Sequence, residues 1–541
     1  MTTSASNGSA QAQPASPATN DATHARDDGD ALEPRGDDPR VVRDDSRRAR
    51  GDDAPRETTF AREPTLASRL VIFVLLTAVV LSALAFGTVH PWAIGLFAAG
   101  ACVVAVLWAF DAYASRTLRV SRSLLQLSVA GLFVVGLVQL TSPAGAGVVA
   151  RTLSVEAVKT ISLDPFSTRI ALVQIGALLI YFAAALVFID SPKRLHTVVR
   201  ALMIFGAALA LYSLLQFFLN PTQIYWTRQP QQATPFGPFV NRHHFAGYME
   251  LMIGLPLGLL LTGAVKKDLL PLYVFAALIM SVALVATASR GGMLSLMAEV
   301  VFLVAVAAFA RARRERKKAR EGTSEIEPSR GRGALARAGL QLAAAAVLLV
   351  GVMLYIGEEM LSHTLSSFLS DNVTTNRVLF WQGAKEIIAE HPWIGAGLGS
   401  FGVAFTRHDP MNGVARLEQA HNDYLQVLSD AGLIGGILGL FFLAVLFAGG
   451  FARLSTHDKF RRGVAVGALG GCAGILVHSF FDFPLHMTST ALLFLVFAAL
   501  ATLDSRVEQP AETRRKRRRR PSRTHVATRE AHEEAKEQVV A

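Results

Sequence analysis

Residues 70–89 read LVIFVLLTAVVLSALAFGTV, an apolar run without a single charged side chain. As a helix rising about 1.5 Å per residue, such a run crosses the ~30 Å hydrocarbon layer of a bilayer. A helix is also what the layer demands, because in lipid each backbone N–H and C=O must find its partner within the segment. Further runs follow near 92–110, 124–141, 170–189, 197–219, 245–264, 270–288, 291–310, 338–356, 431–452, 463–481 and 487–503. The chain of 541 residues is 51% hydrophobic and only 18% charged, which excludes a soluble or disordered class for its greater part. The fold expected is all-α: a polytopic membrane helical bundle of about twelve transmembrane helices.

Lysine and arginine in the short connections set the orientation. With the N-terminus inside, every even-numbered connection is basic. These carry Arg116, Arg119 and Arg122; Lys193 and Arg194; Lys266 and Lys267; RARRERKKAR at 311–320; and Arg453, Lys459, Arg461 and Arg462. The odd-numbered connections are poor in such residues. Both ends then lie in the cytoplasm, and the longest connection, 357–430 between the ninth and tenth spans, is periplasmic. Residues 1–68, rich in Ala, Ser, Pro, Asp and Arg, read as a disordered cytoplasmic tail without a signal peptide's pattern. Residues 69–504 form the membrane domain and 505–541 a basic cytoplasmic tail. The net charge of +11 is concentrated at 311–337 and in RRKRRRRPSR at 514–523, where it anchors topology and touches anionic membrane lipid, so no nucleic acid is expected as a partner. Cys102 and Cys472 fall within apolar spans and offer neither a disulfide framework nor zinc spacing.

Ionisable groups near a bilayer cost free energy unless they face a cavity or a partner, so their placement is informative. Four polar clusters fall on the outer side of the expected topology. In TPFGPFVNRHHFAGYME (234–250), an irregular backbone delivers Asn241, Arg242, His243 and His244 to the start of the sixth span; an interfacial anchor is the alternative. TASRGGML (287–294) is a tight turn holding Ser289, Arg290, Gly291 and Gly292, and an outer-face arginine in so short a loop opposes the positive-inside trend, against the alternative of a snorkelling side chain. In TTNRVLFWQGAKEIIAEHPWIGAGLGSFG (374–402), Val378, Phe380, Trp381, Ala384, Ile387 and Ile388 recur at helical spacing, so Arg377 opens an amphipathic helix ended by Pro392. GAGLGS at 395–400 reads as a turn, with phosphate binding by its N–H groups as the lesser option. In HNDYLQ (421–426), Asn422 or Asp423 caps the tenth span, Tyr424 sits in its first turn, and His421 stands at a helix N-terminus whose dipole favours the neutral imidazole a general base requires. His478, Asp482 and His486 in HSFFDFPLH, at i and i+4 spacing, are expected to line one helix face up to the break at Pro484, as part of a site or as a contact between spans.

NRHHFAGY, SRGG, NRVLFWQGAKEIIAEHPWIGAGLGSF and HNDYLQVLSDAGLIG resemble, in order and spacing, the motif series of the O-antigen ligase and O-antigen polymerase superfamily, which includes bacterial protein O-oligosaccharyltransferases. The resemblance runs from about residue 170 to 500. It implies a helical bundle whose outer cavity takes a glycan linked to undecaprenyl diphosphate, in the bacterial inner membrane, similar to the metal-independent inverting glycosyltransferases. Carried over, the family's essential arginines fall on Arg290 and Arg377 and its histidine on His421. Asn241, Arg242, His244, Ser289, Trp381, Asn422, Asp423 and Tyr424 would line the substrate site. At the third position of the first motif the family has Asn where this chain has His243, so no role is carried over there.

The chemistry asks for these residue types independently. Moving a glycan from a lipid diphosphate to a hydroxyl builds charge on the leaving group, and guanidinium groups grip phosphate oxygens in bidentate fashion while staying protonated. An imidazole takes the proton of the attacking hydroxyl, and a base placed opposite the leaving group implies inversion. The diphosphate supplies the energy, so no cofactor is expected, and the outer loops carry no metal-ligand spacing. Three acceptors stay open: lipid A-core for a ligase, the growing glycan for a polymerase, and a protein hydroxyl for an oligosaccharyltransferase. A transporter or flippase of lipid-linked glycan is the reading from another class.

Overall fold

The computed structural model describes residues 65–141, 160–230, 233–320, 375–409, 413 and 417–508, the side chains of 314–320 and 375–376 excepted. Helices succeed one another in the order α1 (Leu66–Leu84), α2 (Pro91–Ser115), α3 (Leu125–Gln139), α4 (Pro165–Phe188), α5 (Pro192–Leu219), α6 (Arg242–Leu261), α7 (Leu270–Ala286), α8 (Arg290–Arg320), α9 (Thr375–Glu390), α10 (Phe401–Phe405), α11 (Asp423–Arg453), α12 (Lys459–His478) and α13 (Thr488–Thr502). The protein is an all-α polytopic membrane bundle. Among the described residues nine helices are long and apolar enough to cross a membrane, and α3 and α13 are shorter apolar ones. Eleven of the twelve expected spans therefore coincide with helices, and the ninth, 338–356, lies outside the described residues. So do the expected tails apart from 65–68 and 505–508, and residues 357–374 of the long connection.

Helix starts follow local chemistry. Asp164 and Ser191 cap α4 and α5 ahead of a proline in the first turn, while Asn241, Asn422 and Asp458 cap α6, α11 and α12 by accepting backbone N–H groups. Two spans sit at the centre: the buried share is 83% for α6 and 78% for α12, against 22–44% for the other long helices, which turn side chains such as Phe73, Val103, Val301 and Leu440 outward. Small residues let the central pair approach. A Cβ on Gly258 would stand 2.3 Å from the Gly467 nitrogen, and one on Gly467 only 2.4 Å from the Gly254 oxygen. This crossing brings the start of α6 beside the end of α12.

The basic connections gather at one end of the bundle. There Arg119 pairs with Asp111 at 2.6 Å and Asp190 at 3.0 Å, and Arg194 with Asp190 at 2.9 Å. Buried Arg461 donates to the last-turn carbonyls of α13, those of Leu500 and Ala501 at 3.0 and 3.1 Å. Arg311 donates to the Leu261 carbonyl at the end of α6. The starts of α6, α8 and α11 and the end of α12, which carry the polar motifs, form the opposite end.

One local expectation is corrected. Helix α12 ends at His478, so His478, Asp482 and His486 do not share one helix face; Asp482 lies in the following turn and His486 in a short 3₁₀ segment, Pro484–His486. As expected, the helix capped by Asn422 becomes the tenth span, but it is broken at Gly432, whose φ of +63° interrupts the regular path. The N–H groups freed there donate to loop carbonyls, Leu433 to Pro392 at 2.8 Å and Ile434 to Trp393 at 3.2 Å.

Candidate active site at the polar end of the bundle

His421 precedes the cap of α11 in the left-handed region, at φ +50°. Its imidazole lies 5.8 Å from the Phe380 ring and edge-on to Phe483 at 5.0 Å, so an aromatic frame sets its plane. Nδ1 stands 3.1 Å from Asp482 Oδ1, which also accepts the Phe483 N–H at 3.0 Å. Burial pushes the Asp482 carboxyl up, but the His421 hydrogen bond and the nearby His244 and His243 outweigh it and hold the group well below the usual carboxylate range. An ionised carboxylate only accepts, so Nδ1 carries a proton, and Nε2 is the nitrogen left to exchange one. The carboxylate thus acts on His421 together with the helix start anticipated from sequence.

The next three residues are turned into the protein. Asn422 Oδ1 accepts the N–H groups of Tyr424 and Leu425 at 3.0 and 3.1 Å, while its amide donates to the Phe480 carbonyl. Asp423 accepts from Ser479 Oγ at 2.8 Å and the Leu485 N–H at 3.0 Å, and pairs with His486 Nδ1 at 2.5 Å. Burial draws the His486 imidazole down, yet the bond to Asp423 prevails and holds it above its ordinary range. Tyr424 donates its hydroxyl to the Leu476 carbonyl at 2.7 Å and packs on Phe480. These contacts fix the α12–α13 turn, and with it Asp482, against the start of α11.

Three helix starts at the same end carry arginines, Arg242 on α6, Arg290 on α8 and Arg377 on α9, all half-buried. Arg290 lies within electrostatic reach of Arg377, Arg242 within reach of Arg290, and His243 within reach of Arg377 and Asp482. Arg377 stands one turn before Phe380, the ring beside His421. Gly291, next to Arg290, lies against His478 and Phe481, where a Cβ would come within 3.2 Å of either side chain. Positive charge crowded in a half-buried recess favours a polyvalent anion.

His243, at the position where no role was carried over, ties two motifs together: its Nδ1 lies 2.8 Å from Ser289 Oγ, which also accepts the Gly292 N–H. His244 is buried, its ring 4.9 Å from Phe483, so it supports the frame around His421 from behind. Half-buried Trp381 follows Phe380 on α9, whose buried stripe is Phe380, Ala384 and Ile387, while Val378 faces outward.

The glycine loop is a turn, as its sequence suggested, and not a phosphate cradle. Its N–H groups are occupied: Ala396 donates to Ser429, Gly397 to Asp430, Leu398 to Gln139 Oε1 and Gly399 to Asp430 Oδ2. It clamps the break in α11 and leaves no row of amides for a phosphate. Deeper between the central spans, His478 Nδ1 meets Glu250 Oε2 at 3.0 Å, Ser295 donates to the same oxygen, and Glu299 is buried nearby. Sequence reading passed over Glu250 and Glu299, although carboxylates inside apolar runs are themselves a signal.

Residues 275–440 match a family model described as O-Antigen ligase. The chain is also 26% identical over 278 residues to the O-antigen ligase of Pseudomonas aeruginosa, an alignment covering 50% of this chain and 55% of that protein. The chain thus spans about half the length of this curated relative.

Proposed function

With the O-antigen ligase superfamily, which both matches support, as the premise, we propose that this multi-pass membrane protein is a glycosyltransferase that moves a glycan from undecaprenyl diphosphate to an acceptor hydroxyl. The work is done on the periplasmic side of the bacterial inner membrane, in lipopolysaccharide or surface polysaccharide biosynthesis. What supports this reading is that arginines from three helix starts lie within electrostatic reach of one another, and that His243, in reach of Arg377, is also in reach of the Asp482 that pairs with His421 Nδ1.

In the reaction, Arg290 and Arg377 hold the diphosphate, and Arg242 adds to the field that stabilises it. His421 Nε2 takes the proton of the acceptor hydroxyl as that oxygen bonds to the anomeric carbon. The bond from that carbon to the phosphate oxygen breaks, and the electron pair leaves with the diphosphate. Asp482 stabilises the imidazolium that forms and keeps the ring in the tautomer that accepts. Attack from the face opposite the leaving group inverts the anomeric centre. The surrounding polar residues, Asn241, His244, Ser289, Trp381, Asn422, Asp423 and Tyr424, hold this frame and border the substrate.

Deleting the gene tests the reading. The expected result is loss of one glycan-bearing product, with the lipid-linked glycan accumulating on the outer leaflet. Whether the lipopolysaccharide ladder, the chain length of a secreted polysaccharide or a glycoprotein changes identifies the acceptor. Accumulation on the inner leaflet would instead show a flippase.

A further inference from the structure

A second feature of the polar end lies on the side of α11 that carries Asp423. A groove of about 360 Å³ runs between α3, α4, α11 and α13, within the size range of small-molecule sites. Its long wall is apolar, with Leu178, Leu438, Phe442 and Phe494 along it. Its polar lining includes Asp423, Asp430, Gln419 and His486, and no lysine or arginine lines it.

Among the described residues, two polar atoms there lack partners. Asp430, 2% exposed, gives its Oδ2 to the Gly399 N–H and Gln426 Nε2, both at 3.1 Å, while its Oδ1 has no hydrogen bond among the described residues. Gln419 Oε1 is likewise buried and unpartnered. A buried acceptor without a donor is costly and rare, so a groove keeping two of them suits a ligand rich in hydroxyl donors.

We propose that this groove seats the acceptor, a glycolipid with a neutral head group, its apolar chain along α11 and its sugar hydroxyls donating to Asp430 and Gln419. Charge favours this occupant over the donor. A diphosphate at this mouth would meet Asp430 and the Asp423–His486 pair, whose imidazole is already committed to Asp423, instead of a guanidinium, whereas a neutral sugar meets the acceptors it needs. Continuity with the site supports it as well, since Asp423 is two residues from His421 and lines the groove. From Ala431 to Phe442 the helix offers about 17 Å of apolar wall, enough for most of an acyl chain. The inference rests on the transfer reading above and deepens it: the acceptor is lipid-anchored, not a protein side chain.

Gly439 provides the test, because it lines the groove and a Cβ placed on it would meet nothing within 4 Å. The full-length protein is reconstituted in vesicles of phosphatidylethanolamine and phosphatidylglycerol with a monoglucosyl diacylglycerol carrying a diazirine on its acyl chain. Photolabelling is expected on residues 431–442, falling roughly fivefold or more in Gly439→Phe, which fills the groove, and less steeply in Asp430→Asn, which removes one acceptor. In the same vesicles Gly439→Phe is expected to raise the KM for a glycolipid acceptor while leaving that for the donor unchanged. Equal labelling by a diazirine phosphatidylglycerol would show ordinary lipid in the groove and overturn the proposal. Displacement of the label by undecaprenyl diphosphate would assign the groove to the donor and overturn it too. Labelling needs no turnover, so it decides on the groove even if no donor supports transfer and the glycosyltransferase reading fails.

Discussion

Asp482 and His421, sixty-one positions apart in sequence, meet at 3.1 Å between carboxylate and imidazole, and this pair fixes the orientation of the ring. Removing the carboxylate frees the ring to turn and withdraws the charge that stabilises the imidazolium. Asp482→Ala is therefore expected to lower kcat by roughly 10²-fold or more, with little change in KM for the lipid-linked donor. Steady-state kinetics in detergent micelles would check it. Unchanged kcat would reduce Asp482 to a structural contact.

Arg377→Lys keeps the charge and loses the fork. If the guanidinium grips phosphate oxygens in pairs, the variant should lose about 10- to 100-fold in kcat/KM, the worth of about 1.5–3 kcal/mol for a charged hydrogen bond. Full activity would make Arg377 a surface residue of α9.

The break in α11 predicts a stability effect with an internal control. Gly432 has φ +63°, and a Cβ there would lie 2.4 Å from the Trp393 carbonyl carbon. Gly432→Ala should destabilise by about 2–3 kcal/mol through strain and the displaced loop. Gly439→Ala, in open space on the same helix, should be neutral or stabilising by up to about 1 kcal/mol. Thermal unfolding of both variants in one detergent compares them. Equal midpoints would contradict the clamp.

The His486–Asp423 pair carries a pH dependence whose sign follows from the raised imidazole. A group held above its ordinary value of 6.5 contributes stability that is complete below that value and is lost as pH rises through the folded value. The stability difference between the natural protein and His486→Gln should thus be greatest in mild acid and shrink toward alkaline pH. Asp482 has the opposite sign. Its carboxyl is held down, so its contribution is present above the ordinary carboxylate range and fades only in strong acid. A difference that grows with pH would contradict the pairing of His486.

The spans were legible because apolar runs in lipid leave the backbone little choice but the helix. A capping residue at 422 or 423 is legible in the sequence and is Asn422, whereas the cap at Asn241 emerges only from the structure. What stayed hidden depends on contacts between distant segments. HSFFDFPLH has helical spacing, yet α12 ends at His478 and Asp482 turns to His421 while His486 turns to Asp423. GAGLGS looks like a loop for phosphate, but its amides are taken by Gln139 and by Ser429 and Asp430 in α11. His243 shows the converse, since departure from a motif hid a contact with Ser289.

The most direct measurement follows glycan transfer by reconstituted protein supplied with an undecaprenyl diphosphate-linked glycan, comparing the natural protein with His421→Ala. The account predicts that His421→Ala inserts and unfolds like the natural protein, still binds the donor through Arg290 and Arg377, and forms no glycosylated product. Normal product from that variant would contradict it.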